Sequence, residues 1–367
     1  MQKARIFAAG LLAVGISSQA SAATLTYSLT ILSSLGGIES FAWAINDQGQ
    51  VAGSSTTSGY SNRQAVVWNG STPTVLGSLG GTSSSALAIN NSGQTAGNST
   101  PPAGSSLAVS WNGSSPAQLG SLGASTSSAN GINNAGQIVG TTGLNGNAVI
   151  WNGTTPTVLS SLGGTSSGAT AINNSGQVAG YSSPLGNGTR QAVIWNGTTP
   201  TALGSLGGTT SIASGINDAG QVVGYSYTPG NLTAMAVLWN GTAPTVLGSL
   251  GGTFSAAQAI NDQGQIVGKS YLGNNFSTQR GVIWDGTTAI DINTLLATNP
   301  SHFLITSLQD INSSGQIVGY GYDSFGNQDA ILLTPVATTP LPAALPMFAS
   351  GLGFLACLAW RRKRRQG

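Results

Sequence analysis

The chain has little of what a charge-laced cytosolic protein is made of: only 5% of its 367 residues are charged, which argues against water-facing helices carried by Lys and Glu. It has one cysteine, Cys357, so an intrachain disulfide and a cysteine-based metal site are both excluded. It has one histidine, His302, so any Ser-His-Asp triad would have to form around that residue. Basic residues are missing from most of the chain. Of the 11, Lys3 and Arg5 lie near the start and Arg361, Arg362, Lys363, Arg364 and Arg365 near the end, leaving Arg63, Arg190, Lys269 and Arg280 against all nine acids. The body is therefore mildly acidic, without the clustered basic surface that phosphate neutralisation requires, and nucleic acid is excluded as a partner.

What the chain does have is 54 glycines and an abundance of Ser, Thr and Asn, the composition of turns and short strands. An Ile-Asn-x-x-Gly-Gln block begins at Ile45, Ile89, Ile132, Ile172, Ile216, Ile260 and Ile311, at spacings of 44, 43, 40, 44, 44 and 51. Each block runs on to a glycine, from Gly53 to Gly319. Trp-Asn-Gly or Trp-Asp-Gly recurs at Trp68, Trp111, Trp151, Trp195, Trp239 and Trp284, and Leu-x-Ser-Leu-Gly-Gly at Leu76, Leu159, Leu203 and Leu247. In the unit from Gly163 to Leu206, Ala169 to Ile172 and Gln177 to Tyr181 read as a hairpin about Asn173-Asn174-Ser175-Gly176. Gln191 to Trp195 reads as a third strand and Thr201 to Leu206 as a fourth. Four short strands in about 44 residues match a propeller blade.

The ends of the array complement one another. The seventh unit, from Ile311 to Thr334, lacks a fourth strand, and the segment Tyr27 to Gly37 resembles a fourth strand without its first three. Joined, they make one blade and remove the open sheet edge that a linear array would carry. The expected fold is an all-β, seven-bladed β-propeller over residues 24–335, closed by pairing a strand near Leu29 with one near Ile331. An open β-solenoid is the alternative, and it would need distinct capping units.

Both termini read as addresses. Residues 1–23 have the form of a secretory signal peptide: Lys3 and Arg5, an apolar core from Ile6 to Ile16, and a small-residue cleavage site with Ala20 and Ala22. After a Pro-containing linker and sorting motif over 336–342, residues 343–367 have the length and apolarity of a transmembrane helix followed by a basic cluster. That cluster places the body across the inner membrane from the cytoplasm. The Pro340-Leu341-Pro342 motif, the apolar stretch and the Arg361, Arg362, Lys363, Arg364, Arg365 end resemble the PEP-CTERM sorting signal, with Leu341 where the namesake motif has Glu. The resemblance implies recognition by an exosortase, a membrane peptidase, and a temporary anchor; a plain single-span anchor would have the same length and charge pattern. The body resembles the HAF extracellular repeat family through its Ala-Ile-Asn-x-x-Gly-Gln-Val-x-Gly pattern, which implies export and a propeller-like fold and supplies no activity.

Candidate chemistry is sparse. His302 lies in the longest departure from the repeat, next to Asp291-Ile292-Asn293-Thr294-Leu295-Leu296, which resembles a closing unit of the HAF family. Asp47, Asp218 and Asp262 occupy the turn position held by Asn91, Asn134 and Asn174, where turn chemistry accounts for them. Too few carboxylates recur there for a calcium loop. Glu39, Asp285, Asp291, Asp310, Asp323 and Asp329 remain as candidates for a glycosidase pair, and none is recognisable as one. The repeated Trp reads as a packing residue between units rather than a sugar-stacking row. Sequons at Asn69, Asn112, Asn152, Asn187, Asn196 and Asn240 follow from the repeat. No cofactor or metal site is expected. The sequence points to an exported, noncatalytic surface or matrix protein that binds exopolysaccharide or a surface protein. A carbohydrate-active enzyme on the same scaffold is the alternative, and two facing carboxylates in a central channel would mark it.

Overall fold

The computed structural model describes residues 25–336, apart from 60, 61, 144, 145, 187, 300 and 301. The expected signal peptide with Ala20 and Ala22, and the tail with Pro340, Leu341, Pro342 and the basic cluster, lie outside the described residues. Among the described residues no helix is long and apolar enough to cross a membrane. Thr26 to Val336 form one compact unit, which ends one residue beyond the body boundary expected from the sequence.

The unit is all-β, with 28 strands and three short 3-10 turns among the described residues. Five sheets have four antiparallel strands each, and the remaining eight strands form two further four-stranded sheets joined by one parallel bridge, Glu39 to Gln328. Each sheet follows the same path. An inner strand such as Ser127–Ile132 turns through Ile-Asn-x-x-Gly-Gln into a second strand, Ile138–Thr142. A variable loop leads to the third, Asn147–Asn152, and the Trp-Asn-Gly turn to a short outer one, Thr155–Val158. The seventh sheet takes its outer strand from the other end of the chain. Thr26–Ile31 pairs antiparallel with Gln328–Val336, placing Leu29 opposite Leu333 and Ile31 opposite Ile331.

The outer strand lies earlier than the sequence reading placed it. In the fourth sheet it spans Thr199–Ala202, with Pro200 opposite Trp195. Leu203, expected within that strand, is instead a fully buried side chain after its end. Proline has no N–H to give a ladder and is tolerated because this strand is an edge. Pro73, Pro116, Pro156 and Pro244 take the same place opposite Trp68, Trp111, Trp151 and Trp239.

The core repeats between sheets. Trp68, Trp111, Trp151, Trp195 and Trp239 are completely buried and Trp284 nearly so. Each indole Nε1 donates to a backbone carbonyl of the preceding unit, from Ser33 to Gly248, at 2.7–2.9 Å. The remaining contacts are small. Ser40, Ser84, Ser127, Ser167, Ser211 and Ser255 each accept, at 2.8–2.9 Å, a backbone N–H from the third strand of the sheet before. Burying hydroxyls costs little when each is bonded in this way, so sheets packed through Ala, Ser and Gly need few charges to define their register.

The long connection after Trp284 also packs against this framework. Ile292 and Phe303 are buried in one cluster with Tyr27, and the Ala297 N–H donates to the Tyr27 carbonyl at 2.9 Å. The connection therefore secures the first strand of the unit.

Candidate functional site

Two ends of the unit are distinguished by strand direction. The Ile-Asn-x-x-Gly-Gln turns and the Trp-Asn-Gly turns lie at one, here termed the clasp end. The loops between second and third strands, and the returns from outer to inner strand, lie at the other, the loop end.

At the clasp end the repeated motif proves to be a fastener. The side-chain Nδ2 of Asn46, Asn90, Asn133, Asn173, Asn217 and Asn261 donates to the backbone carbonyl of the next asparagine in the series at 3.0–3.1 Å. Asn312 donates to Asn46 at 3.1 Å, so the series closes on itself. Each Oδ1 accepts the backbone N–H of the motif glutamine at 2.9–3.0 Å, which clamps the turn. The motif glycine takes positive φ, 77° at Gly49 and 76° at Gly315, where a side chain would strain the turn.

The residue after each asparagine adds a second tier that turn chemistry alone did not foretell. The side-chain oxygens of Asn91, Asn134, Asn174, Asp218, Asp262 and Asp47 each accept the backbone N–H at the same position in the preceding unit, at 2.8–3.0 Å. Asp47 also takes the Ser313 hydroxyl and the Asn91 amide. Burial works to raise its pKa, but these hydrogen bonds outweigh it and hold the carboxyl below its ordinary value. The signal available in the sequence was that Asp, Asn and Ser, alone among residue types, occupy this position.

Asp310 stands in the channel wall, where the other six units have Ala or Gly, and it borders the cavities toward both ends. Its two oxygens accept the N–H groups of Ile45 and Ile311, each at 2.9 Å. Burial dominates these bonds, with a smaller contribution from the Asp47 charge, and pushes its pKa up to about 7.

Two residues before each motif Ile, on the loop-end side of the clasp, every inner strand carries a β-bulge, and the extra residue is Trp43, Leu87, Asn130, Thr170, Ser214, Gln258 or Gln309. A bulge re-aims one side chain at the cost of a local break in the ladder. These seven line a cavity of about 240 Å³. The bulge also explains the glycine ending each motif: a Cβ at Gly140 would lie 1.9 Å from the Ser128 carbonyl oxygen, and one at Gly224 2.0 Å from that of Ile212. The sequence repeats around these positions while the bulged residue itself changes from unit to unit. Trp43 stacks on Phe41 at 5.3 Å and meets Tyr320 edge-on at 6.0 Å, and its buried Nε1 has no hydrogen-bond partner.

Charge and aromatic rings divide between the ends. Asp47, Asp218, Asp262 and Asp285 lie at the clasp end, where no basic residue occurs among the described residues. Arg63, Arg190, Lys269 and Arg280 all lie toward the loop end, with Glu39, Asp291, Asp323 and Asp329. Arg63 pairs with Glu39 at 2.6 Å and Arg280 approaches Asp291 at 3.8 Å. Lys269 has its pKa lowered by burial. His302 is exposed at φ 49° beside the long connection, away from the residues that line these cavities. Asn69, Asn112, Asn152, Asn196 and Asn240 are exposed at the clasp end, and Asn187 lies outside the described residues.

No family model and no curated protein matches the sequence. Among solved structures, the β-propeller domain of the Trilobed protease from Pyrococcus furiosus is similar at a TM-score of 0.53 and 9% identity, over 87% of this chain and 98% of that one. That domain is described as having an open velcro topology; here the first strand pairs with the last. TolB from Acinetobacter baumannii aligns at a TM-score of 0.43 and 11% identity, over 78% of this chain and 64% of that one. The likeness to the first of these identifies the fold as a β-propeller and carries nothing further.

Proposed function

We propose that the chain is an exported, noncatalytic binding module of the cell surface or extracellular matrix, a seven-bladed propeller that engages its ligand at the loop end. The observation that carries this reading is the segregation of variation. The clasp end repeats the same fastener in every unit, whereas the bulged residues line a varied cavity on the other side of it and the long loops, the basic residues and nearly all partly exposed aromatic rings lie toward the loop end. Repetition is what a scaffold needs, and a binding mouth needs unlike side chains.

The alternative, a carbohydrate-active enzyme, needs an acid and a base on either side of a bond. Asp310 has the raised pKa of an acid, but both its oxygens are engaged by backbone N–H groups of the seam. The three clasp-end aspartates in the cavity lining are similarly placed to fasten units. These commitments favour binding over catalysis. Export would follow from cleavage after the Ala20 to Ala22 site. Release or anchoring would follow from recognition of Pro340-Leu341-Pro342 and the basic tail by an exosortase-type membrane peptidase.

A glycan-array screen of the purified full chain tests the binding reading. Retention of a sugar probe, weakened at least tenfold by Trp43→Ala and unchanged by Asp285→Asn at the clasp end, is the expected result. Binding that responds to Asp285→Asn and ignores Trp43→Ala would assign the wrong end. Intact mass of the surface-exposed chain tests the sorting reading, which requires loss of residues 1–23.

A further inference from the structure

Away from the channel mouth, the loop end carries a second feature that the repeat does not require. The position just after the motif's final glycine is Ser54, Asn98 and Thr141 in the first three units but Tyr181 and Tyr225 in the fourth and fifth. Around Tyr225 the rings continue from sheet to sheet. Its centroid lies 6.1 Å from Tyr227 and 6.0 Å from Phe254, Phe254 lies 5.0 Å from Tyr271, and Tyr271 lies 5.4 Å from Phe276. Tyr271 is buried and supports the others, Tyr225 and Phe254 are partly exposed, and Phe276 is 82% exposed. Five rings that pass from the fifth sheet to the sixth end in an almost naked phenylalanine, which packing alone does not require.

The charge at the fourth- and fifth-sheet end of this stripe has one sign. Arg190 is exposed, with its guanidinium 4.8 Å from the centroid of the Tyr181 ring. Unlike Arg63 and Arg280, it has no carboxylate within ion-pair distance among the described residues. It is also close enough to Tyr225 to act on that hydroxyl electrostatically. The four acids of the loop end lie on the sixth, seventh and first sheets, and none on the fourth or fifth.

We infer that the stripe from Tyr181 and Arg190 through Tyr225 and Phe254 to Phe276 is a binding platform for an extended acidic polysaccharide, a polymer of uronic acid units. Sugar rings lay their C–H faces on the exposed parts of Tyr225, Phe254 and Phe276, and Arg190 takes a uronate carboxylate. A guanidinium fixed over a tyrosine is suited to this, since its fork of donors matches a carboxylate and its flat face stays stacked. The proposal rests on the reading that the loop end binds, and it adds the ligand class and a location distinct from the channel mouth.

The test is affinity electrophoresis of the purified full chain through gels containing polygalacturonate, alginate or a neutral soluble β-glucan. Both uronate polymers retard the chain, the neutral glucan retards it less, and added salt weakens the effect. Phe276→Ala and Arg190→Ala, both at exposed positions and so without a burden on folding, each weaken retardation at least fivefold. Asp285→Asn, at the clasp end, leaves it unchanged. Failure of both uronate polymers to bind overturns the proposal, as does equal retardation by the neutral glucan. Retardation lost in Trp43→Ala and kept in Phe276→Ala and Arg190→Ala overturns the platform while leaving a binding mouth at the loop end.

Discussion

The side chain of Asn312 donates to the backbone carbonyl of Asn46 at 3.1 Å, across 266 positions of sequence. The same bond joins every pair of neighbouring units, so the contact that closes the molecule is chemically identical to those that build it.

Replacing Asn312 by alanine removes that bond together with the bonds its Oδ1 accepts from Ser314 and Gln316. The site is buried, and the expected loss is about 2–4 kcal/mol of stability, since partners left unsatisfied cost more than the bond itself is worth. Urea unfolding of the variant beside wild type measures it; a midpoint within error of wild type would show that the closing bond is dispensable.

Tyr27 is completely buried, and its hydroxyl has no hydrogen-bond partner among the described residues. Tyr27→Phe removes the unpaired group and keeps the ring, so stability is expected to rise by about 1 kcal/mol. Tyr27→Ala, by contrast, leaves a cavity under the strand that closes the seventh sheet, at a cost of about 3–5 kcal/mol. Thermal melts of the two variants should move in opposite directions.

Asp310 gives the molecule a pH dependence of unusual sign. Its folded pKa of about 7 exceeds the ordinary 3.8, so between these values the folded chain binds more protons than the unfolded one, and this group's contribution falls as pH rises. The melting temperature should therefore drift downward from about pH 5 to pH 7.5, and Asp310→Ala should flatten that drift. Asp47, with a lowered pKa, acts in the opposite sense and only in more acidic solution. A profile that is level in wild type, or equally sloped in the variant, would remove Asp310 as its origin.

Gly224→Ala drives a Cβ to 2.0 Å from the Ile212 carbonyl oxygen, whereas Gly188→Ala meets nothing within 4 Å. The first should cost about 3 kcal/mol or more and the second should stay within about 0.5 kcal/mol. Equal midpoints in chemical denaturation would mean that the bulge can relax.

Much of this architecture could be read from residue spacing. Four strands per unit, the tryptophan between sheets, and the pairing of a strand near Leu29 with one near Ile331 all follow from where the motifs repeat and where the array is incomplete. The outer strand could not be placed by the same means. Leu203 and Leu206 drew it toward the apolar residues, although a half-exposed edge strand has little need of them and Thr199-Pro200-Thr201 suffices. The candidate site was less legible. Asp47, Asp218 and Asp262 read as local turn residues because bonds to the neighbouring unit exist only once the ring is assembled. The bulged positions and the aromatic stripe went unnoticed because a search for repetition looks past the places where repetition fails.

The prolines opposite the tryptophans have a consequence for life in a crowd. A sheet that ends in an open ladder invites a neighbour to continue it, and a chain in which only 5% of residues are charged has little repulsion to keep its copies apart. With Pro73, Pro116, Pro156, Pro200 and Pro244 each withholding one N–H at the circumference, the rim offers incoming strands a broken template. Copies at high concentration can then crowd together without fusing into fibres at their sides.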